Sequence, residues 1–156
     1  MGLIVRDMRQ DDFELVAKIF VELHRVHSDA RPDWYLPSDA PLTRDEFDRW
    51  FGEDMFATVA EQDGRVVGFC NGYIQHGHRS PLVRQLTQYH IDNFAVSSEA
   101  RRGGVGRALF EDARRRAAEL GCDKLTLSAW ACNTAALDFY TAMGMTERVV
   151  HLELDV

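Results

Sequence analysis

The sequence predicts an α/β sandwich built on a mixed β-sheet, and three observations carry that prediction. Apolar periodicity alternates along the chain between the two-residue repeat of strands and the 3.6-residue repeat of helices. An Asp63-Gly64 dipeptide joins two β-rich runs, the composition that a tight hairpin turn demands. A strand, a Gly-rich turn, a helix and a second strand then follow over residues 89–130, the pattern of a parallel, right-handed crossover.

In chain order, Leu3-Ile4-Val5 reads as a short strand. Asp11 to His27 reads as a helix with Phe13, Val16, Phe20 and Leu23 on one face and a capping box from Asp11 and Glu14. Pro32, Pro37 and Pro41 hold residues 28–43 as a loop. Thr43 and Glu46 repeat the start signal for a second helix to about Phe51. The hairpin strands are Met55 to Glu61 and Arg65 to Ile74, and Tyr89 to Val96 is the next strand. A helix from Val105 to Leu120 follows, with an apolar stripe of Val105, Leu109, Ala113, Ala117 and Leu120. Its outer face offers Glu111–Arg115 and Asp112–Arg116 pairs, and Gly121 stops it. Lys124 to Trp130 reads as strand, Asn133 to Met143 as helix ended by Gly144, and Val149 to Leu154 as a final strand.

Composition sets the class. The 156 residues, 46% of them apolar, suit one globular domain over 1–156 with a single core. No apolar run is long enough for a membrane span, and Arg6, Asp7, Arg9, Asp11, Asp12, Glu14 and Lys18 exclude a signal-peptide core, so a cytoplasmic protein is expected. Cys70, Cys122 and Cys132 form no metal or disulfide pattern, and reduced thiols are expected. The net charge of −7 resides in residues 1–61, which hold 14 Asp+Glu against 7 Lys+Arg, while the remainder balances at 11 and 11. A field of that sign disfavours nucleic acid and anionic membrane as partners.

Ligands of such sheets sit where strands end and helices begin, here residues 96–107 and 130–134. Arg101-Arg102-Gly103-Gly104-Val105-Gly106 occupies the first of these positions. Its glycines admit a ligand close to the backbone, the N–H groups of the helix start favour an anion, and Arg101, Arg102 and Arg107 add charge, which makes a seat for a pyrophosphate. A nucleoside triphosphate loop would need Lys and Ser or Thr after the last glycine, where Arg107 and Ala108 stand. A dinucleotide fingerprint from Gly104 would need Gly or Ala at Leu109.

The loop Arg101 to Gly106, preceded by Ile91-Asp92-Asn93-Phe94-Ala95-Val96 and followed by Arg107-Ala108-Leu109, resembles the acyl-coenzyme A loop of the GNAT superfamily of N-acetyltransferases. Asn133-Thr134-Ala135-Ala136-Leu137-Asp138-Phe139-Tyr140 with Met143-Gly144-Met145 is similar to a second motif of that family. The resemblance implies the GNAT fold, a mixed central sheet with helices on both faces and two strands splayed at the acyl-CoA site. It implies acetyl-CoA as acyl donor and no metal. Phe94, Ala95 and Val96 would line the pantetheine arm, the backbone from Arg102 to Arg107 would hold the pyrophosphate, and Asn133 would bond the pantetheine in addition to capping its helix. Tyr140, two helical turns on, would donate to the leaving sulfur.

The implied reaction is direct attack of a primary amine on the thioester; the alternative is a catalytically silent acyl-CoA-binding or sensing module on the same fold. An alkylammonium must lose a proton first, and Asp92 and His90, at i and i+2 on one strand face, are the candidate bases. Trp34 and Tyr35, in the proline-rich loop, are candidates for the acceptor pocket, since family members form it there. The histidine pairs His24/His27 and His76/His78 lack a third ligand and read as solvated side chains. The Arg114-Arg115-Arg116 run, interleaved with Glu111, Asp112 and Glu119, reads as a solvated helix face. A homodimer stays open. The charge split pairs an anionic cofactor with the basic loop and a cationic amine with the acidic half, the Asp and Glu residues of 29–46 in particular.

Overall fold

A computed structural model describes residues 2–156. Its elements are β1 (Leu3–Asp7), α1 (Phe13–Ala30), α2 (Arg44–Arg49), β2 (Met55–Gln62), β3 (Arg65–His76), β4 (Thr87–Val96), α3 (Val105–Glu119), β5 (Lys124–Leu127) and α4 (Thr134–Ala142). The five strands lie in sequence order in one sheet, β1 to β4 as an antiparallel meander and β5 parallel to β4. The β2–β3 hairpin turns at Asp63 and Gly64, both at positive φ (52° and 78°), as the expected turn type requires.

Helices cover both faces. On one, Val16 and Ile19 of α1 and Phe47 of α2, with Trp50 just beyond it, pack on Val59 and Phe69 of the sheet, with Trp50 stacked on Phe69 at 5.7 Å. On the other, Val105, Leu109, Ala113 and Ala117 of α3 cover Cys70, Tyr89 and Ile91. The α4 helix is fastened beside α3, where Phe139 meets Phe110 edge-on and the Arg114 guanidinium donates to the Met143 carbonyl oxygen.

Several local expectations are corrected. The Asp11–Glu14 capping box does not form. A short 3-10 turn, Gln10–Asp12, precedes α1, and Asp12 instead accepts from the Arg9 N–H at 2.7 Å and from both ends of the Arg6 guanidinium at 2.9 Å. Two-pronged, charge-assisted bonding of this kind is strong, and it fixes Asp12 rather than Asp11 at the start of α1. Thr43 caps α2 as expected, accepting from the Glu46 N–H. Leu120 is exposed because α3 ends at Glu119, and Phe110 fills the core instead. Asp112 pairs with Arg116 as read, but Glu111 pairs with Arg114, since Arg115 is held by Asp112 and Glu119.

The strand expected at Val149–Leu154 is absent. Residues 145–156 carry no helix or strand, and among the described residues no backbone group from 146 onward makes a backbone hydrogen bond. Alternating apolar residues mark a chain able to become a strand, but a strand exists only when an edge accepts it.

Candidate functional site

The β4–β5 pairing covers Gln88↔Lys124 to Ile91↔Leu127 and then stops. β5 ends at Leu127, whereas β4 continues to Val96, so residues 92–96 keep β3 on one side and have no strand on the other. Phe94, Ala95 and Val96 therefore border an open slot between diverging parallel strands. An extended ligand carrying amide groups can pair with such a free edge as a strand would.

At the end of that slot lies the start of α3. Thr43 caps α2 and Asn133 caps α4, accepting from the Ala136 N–H at 3.3 Å, but α3 begins at Gly104 with no side-chain cap. The N–H groups of Val105, Gly106 and Arg107 have no intrahelical acceptors, and the helix places partial positive charge there. Gly104 sits at φ 82°, the left-handed conformation that turns the chain into the helix. A Cβ at Gly104 would meet nothing within 4 Å, so the constraint on side chains is the backbone conformation. Arg102 and Arg107 are exposed and make no ion pair among the described residues. Arg101 leans on the Val96 carbonyl oxygen and approaches Glu22 at 3.9 Å. Gly103 and Gly106 complete the turn, Gly106 lying against the Phe139 ring. The expected pyrophosphate seat is thus a set of uncapped amides flanked by two unpaired cations.

Tyr140 projects from α4 among Phe94, Phe110 and Phe139, with ring centroids 5.9, 6.3 and 5.3 Å away. Its hydroxyl makes no hydrogen bond among the described residues. Burial, with the nearby Cys70 adding to it, pushes its pKa well above the usual value near 10, so the phenol stays protonated and can only donate toward an anion. Asn133 uses its side-chain oxygen as cap, which leaves its amide N–H2 group free.

The strand that carries His90 and Asp92 is not regular. Asn93 pairs with Asn71 and Ile91 with Gly72, so Asp92 is an extra residue in β4, a bulge. Tyr89 and Ile91 face α3, and so do Phe94 and Val96, which shows the alternation reversing across Asp92. Gly72 permits the bulge, because a Cβ there would collide with the His90 carbonyl oxygen. The buried Asn71 beside it has no hydrogen-bond partner for either side-chain polar atom. His90 is half-buried, with Nδ1 2.9 Å from Thr126 Oγ1 and its ring 4.9 Å from Tyr73. Burial lowers its pKa; the Asp92 carboxylate opposes this and Arg148 reinforces it, so the imidazole is neutral at pH 7 and can accept a proton. Asp92 is exposed and makes no hydrogen bond.

Beyond the end of β5 the loop after α1 closes over Trp130. The Trp130 indole N–H donates to the Tyr35 hydroxyl at 2.9 Å, Trp34 lies 5.6 Å from the same ring, and Tyr35 stacks on His27 at 5.4 Å. Trp34 and Tyr35 are thus joined by residues that the sequence reading did not place at the site. Trp130 falls in the expected 130–134 segment. His24 and His27, one helical turn apart on α1, build a wall and are not simply solvated: His24 bonds the Leu36 carbonyl at 2.6 Å, and burial lowers the pKa of His27. Arg31 lies over Trp130 at 4.7 Å and is held by Asp33 and Glu153. Of the acidic residues between 29 and 46, Asp33 and Glu46 are held by Arg31 and Arg49. The acidity available to a cationic ligand is thereby reduced to Asp29, Asp39 and Asp45. Among the described residues no cluster of three or more His, Cys, Asp or Glu could hold a metal ion, and no helix is long and apolar enough to cross a membrane.

The chain is similar to known acetyltransferases. The model of the acetyltransferase (GNAT) family matches residues 22–145. A mycothiol acetyltransferase of Amycolatopsis mediterranei is 32% identical over 122 residues, covering 73% of this chain and 38% of that protein. An N-alpha-acetyltransferase of Sulfurisphaera tokodaii is 29% identical over 92 residues, covering 57% of this chain and 55% of that protein. The chain therefore spans between about a third and just over half of the curated relatives it matches. Among solved structures, a mutant of the BH1408 protein of Bacillus halodurans superposes with a TM-score of 0.95 at 23% identity, covering 98% of this chain and 99% of that one.

Proposed function

The chain belongs to the GNAT acetyltransferase family, and from that premise we propose that it transfers an acetyl group from acetyl-CoA to a primary amine by direct attack on the thioester. The observation that carries the reading is the coincidence of a free β4 edge at 92–96 with an uncapped α3 N-terminus flanked by unpaired Arg102 and Arg107. A pantetheine arm fits the first and a pyrophosphate the second. The names of the relatives, one N-alpha-acetyltransferase and one mycothiol acetyltransferase, support acetyl transfer without choosing an acceptor.

In this reading the backbone of Arg102 to Arg107 holds the pyrophosphate, Phe94 to Val96 line the pantetheine, and the free amide of Asn133 bonds it. The amine enters beside Trp34, Tyr35 and Trp130. His90 takes the amine proton, directly or through water, with Asp92 tuning its basicity; Asp92 as the base itself is disfavoured by its exposed place in the bulge. Attack on the carbonyl carbon forms the C–N bond and an oxyanion, and collapse breaks the C–S bond with departure of a thiolate. Full proton transfer from an ordinary phenol to a thiolate is uphill by about 2 kcal/mol, and burial of Tyr140 makes it more so. Tyr140 therefore acts as a hydrogen-bond donor to the sulfur rather than as an acid.

The test is thiol release from acetyl-CoA across a panel of primary amines. Amine-dependent release above the hydrolytic background is expected. Binding of acetyl-CoA with no release for any amine would overturn the enzyme reading in favour of a silent binding module.

A further inference from the structure

Between the end of β4 and the glycine loop the chain makes one 3-10 turn, Ser98–Ala100, and a carboxylate from α1 holds its start. One oxygen of Glu22 accepts from the Ser98 N–H at 2.9 Å and the other from the Ser98 hydroxyl at 3.3 Å. The two residues are 76 positions apart, so the tie belongs to the fold and not to the local chain. The oxygen that holds the Ser98 N–H also lies 3.9 Å from Nη2 of Arg101, where the glycine loop opens, and Nε of Arg101 leans on the Val96 carbonyl oxygen at 3.4 Å. Ser97 is secured separately, its N–H donating to the Val67 carbonyl oxygen of β3 at 2.8 Å, and the Glu22 fork fixes the peptide that follows.

These contacts act on the pyrophosphate seat in opposite directions. The fork fixes the path from β4 into the loop whose amides an anion needs, and a loop already in place costs less to order on binding. The charge does the reverse. It stands beside the seat, where it repels an anion, and it engages Arg101, whereas Arg102 and Arg107 make no ion pair among the described residues. We propose that Glu22 is a positioning residue for the acyl-donor loop, and that Arg101 swaps the Glu22 carboxylate for the pyrophosphate when acetyl-CoA binds. The contact is loose enough for that swap: 3.9 Å exceeds a hydrogen bond, and the Arg101 side chain is 56% exposed. A diphosphate, with more charge than one carboxylate, is the stronger partner for the guanidinium.

The tie also joins the two sides of the site. α1 carries His24 and His27 of the aromatic wall just beyond Glu22, so the helix that bounds the acceptor side sets the start of the donor loop. The swap rests on the acetyltransferase reading for the identity of the ligand, whereas the hold of Glu22 on the loop does not.

Two variants separate the effects. In Glu22→Gln the amide can still accept from the Ser98 N–H and donate to the Ser98 hydroxyl oxygen, but the charge is gone; Glu22→Ala removes both. Calorimetry with acetyl-CoA at low salt should show Glu22→Gln binding about 2- to 5-fold more tightly than the parent, the worth of an exposed ion pair, with the gain fading near about 0.5 M salt. Glu22→Ala should bind about 3- to 10-fold more weakly than Glu22→Gln, the worth of the lost hydrogen bonds. In an Arg101→Ala background most of the gain from Glu22→Gln should vanish. A merely structural glutamate would weaken binding in both variants at every salt concentration. In the ligand-free protein, hydrogen exchange of the 98–104 amides should quicken in Glu22→Ala and keep the parental rate in Glu22→Gln. A Gln variant no tighter than the parent, or a gain that survives Arg101→Ala, overturns the swap. Equal affinities for the Gln and Ala variants, with equal amide exchange, overturn the positioning role. A parent that binds no acetyl-CoA, with amides that still quicken in Glu22→Ala, would sink the acetyltransferase reading and the swap and leave the hold on the loop standing.

Discussion

Replacement of Tyr140 by Phe isolates one atom, and the structure sets what its loss should do. The ring is packed by Phe94, Phe110 and Phe139, contacts that phenylalanine keeps, and the hydroxyl bonds no protein group. Folding should therefore be unaffected, with the melting temperature within about 2 °C of the parent, because no internal hydrogen bond is lost. In the proposed reaction the leaving thiolate, by contrast, loses its hydrogen-bond donor. A hydrogen bond to a charged group is worth about 1.5–3 kcal/mol, so kcat should fall roughly 10- to 150-fold while the KM for acetyl-CoA changes little. The assay is steady-state thiol release with the best amine of the panel. It should be repeated with an aryl thioester of acetate, whose thiolate leaves readily and should suffer a smaller loss. A kcat within threefold of the parent would reduce Tyr140 to a packing aromatic. An equal loss with both donors would refute its action on the leaving sulfur.

Gly104→Ala places a Cβ in open space but at φ 82°, so it should cost about 1–2 kcal/mol by thermal melting and weaken acetyl-CoA, whereas Arg102→Ala should leave the melt unchanged and raise the acetyl-CoA Kd a few-fold, less so in high salt. For His90, whose pKa burial lowers, the neutral base is present above its depressed pKa and lost below it. The acid limb of kcat/KM should fall below pH 6.5 and vanish in His90→Gln. Burial raises the Asp12 pKa, but the Arg6 guanidinium and the Arg9 N–H outweigh it and hold the carboxyl below the usual range near 3.8. The stability it contributes is complete above that range and lost as pH falls through the depressed value. Asp12→Asn should cost about 2–3 kcal/mol in urea melts at pH 7, with the difference from the parent shrinking toward pH 2.

The legibility of the site followed the range of the interactions that build it. The glycine loop and the Asn133 cap depend on neighbours within one or two helical turns, and local chemistry in the chain specifies them, whereas the packing of Tyr140 also needs Phe94 and Phe110 from other elements. Alternation along 89–96 assumes an uninterrupted strand, and Asp92 interrupts it as an extra residue. That bulge is accommodated by Gly72 on β3, a strand away. The aromatic wall joins residues from α1, from the loop after it and from the end of β5, about a hundred positions apart in the chain.

The sequence by itself determined the order of the elements from β1 to α4, the α/β class, the glycine loop before α3 and the family, because periodicity, turn chemistry and motif spacing are local properties of a chain. Only the tertiary structure decided where β4 parts from β5, that α3 starts without a side-chain cap, which acidic residues are already neutralised by arginine, and that residues 149–154, strand-like in pattern, have no strand to join. Each of these depends on which groups meet across the fold, and a hydrogen bond or ion pair needs both of its partners in place before it exists.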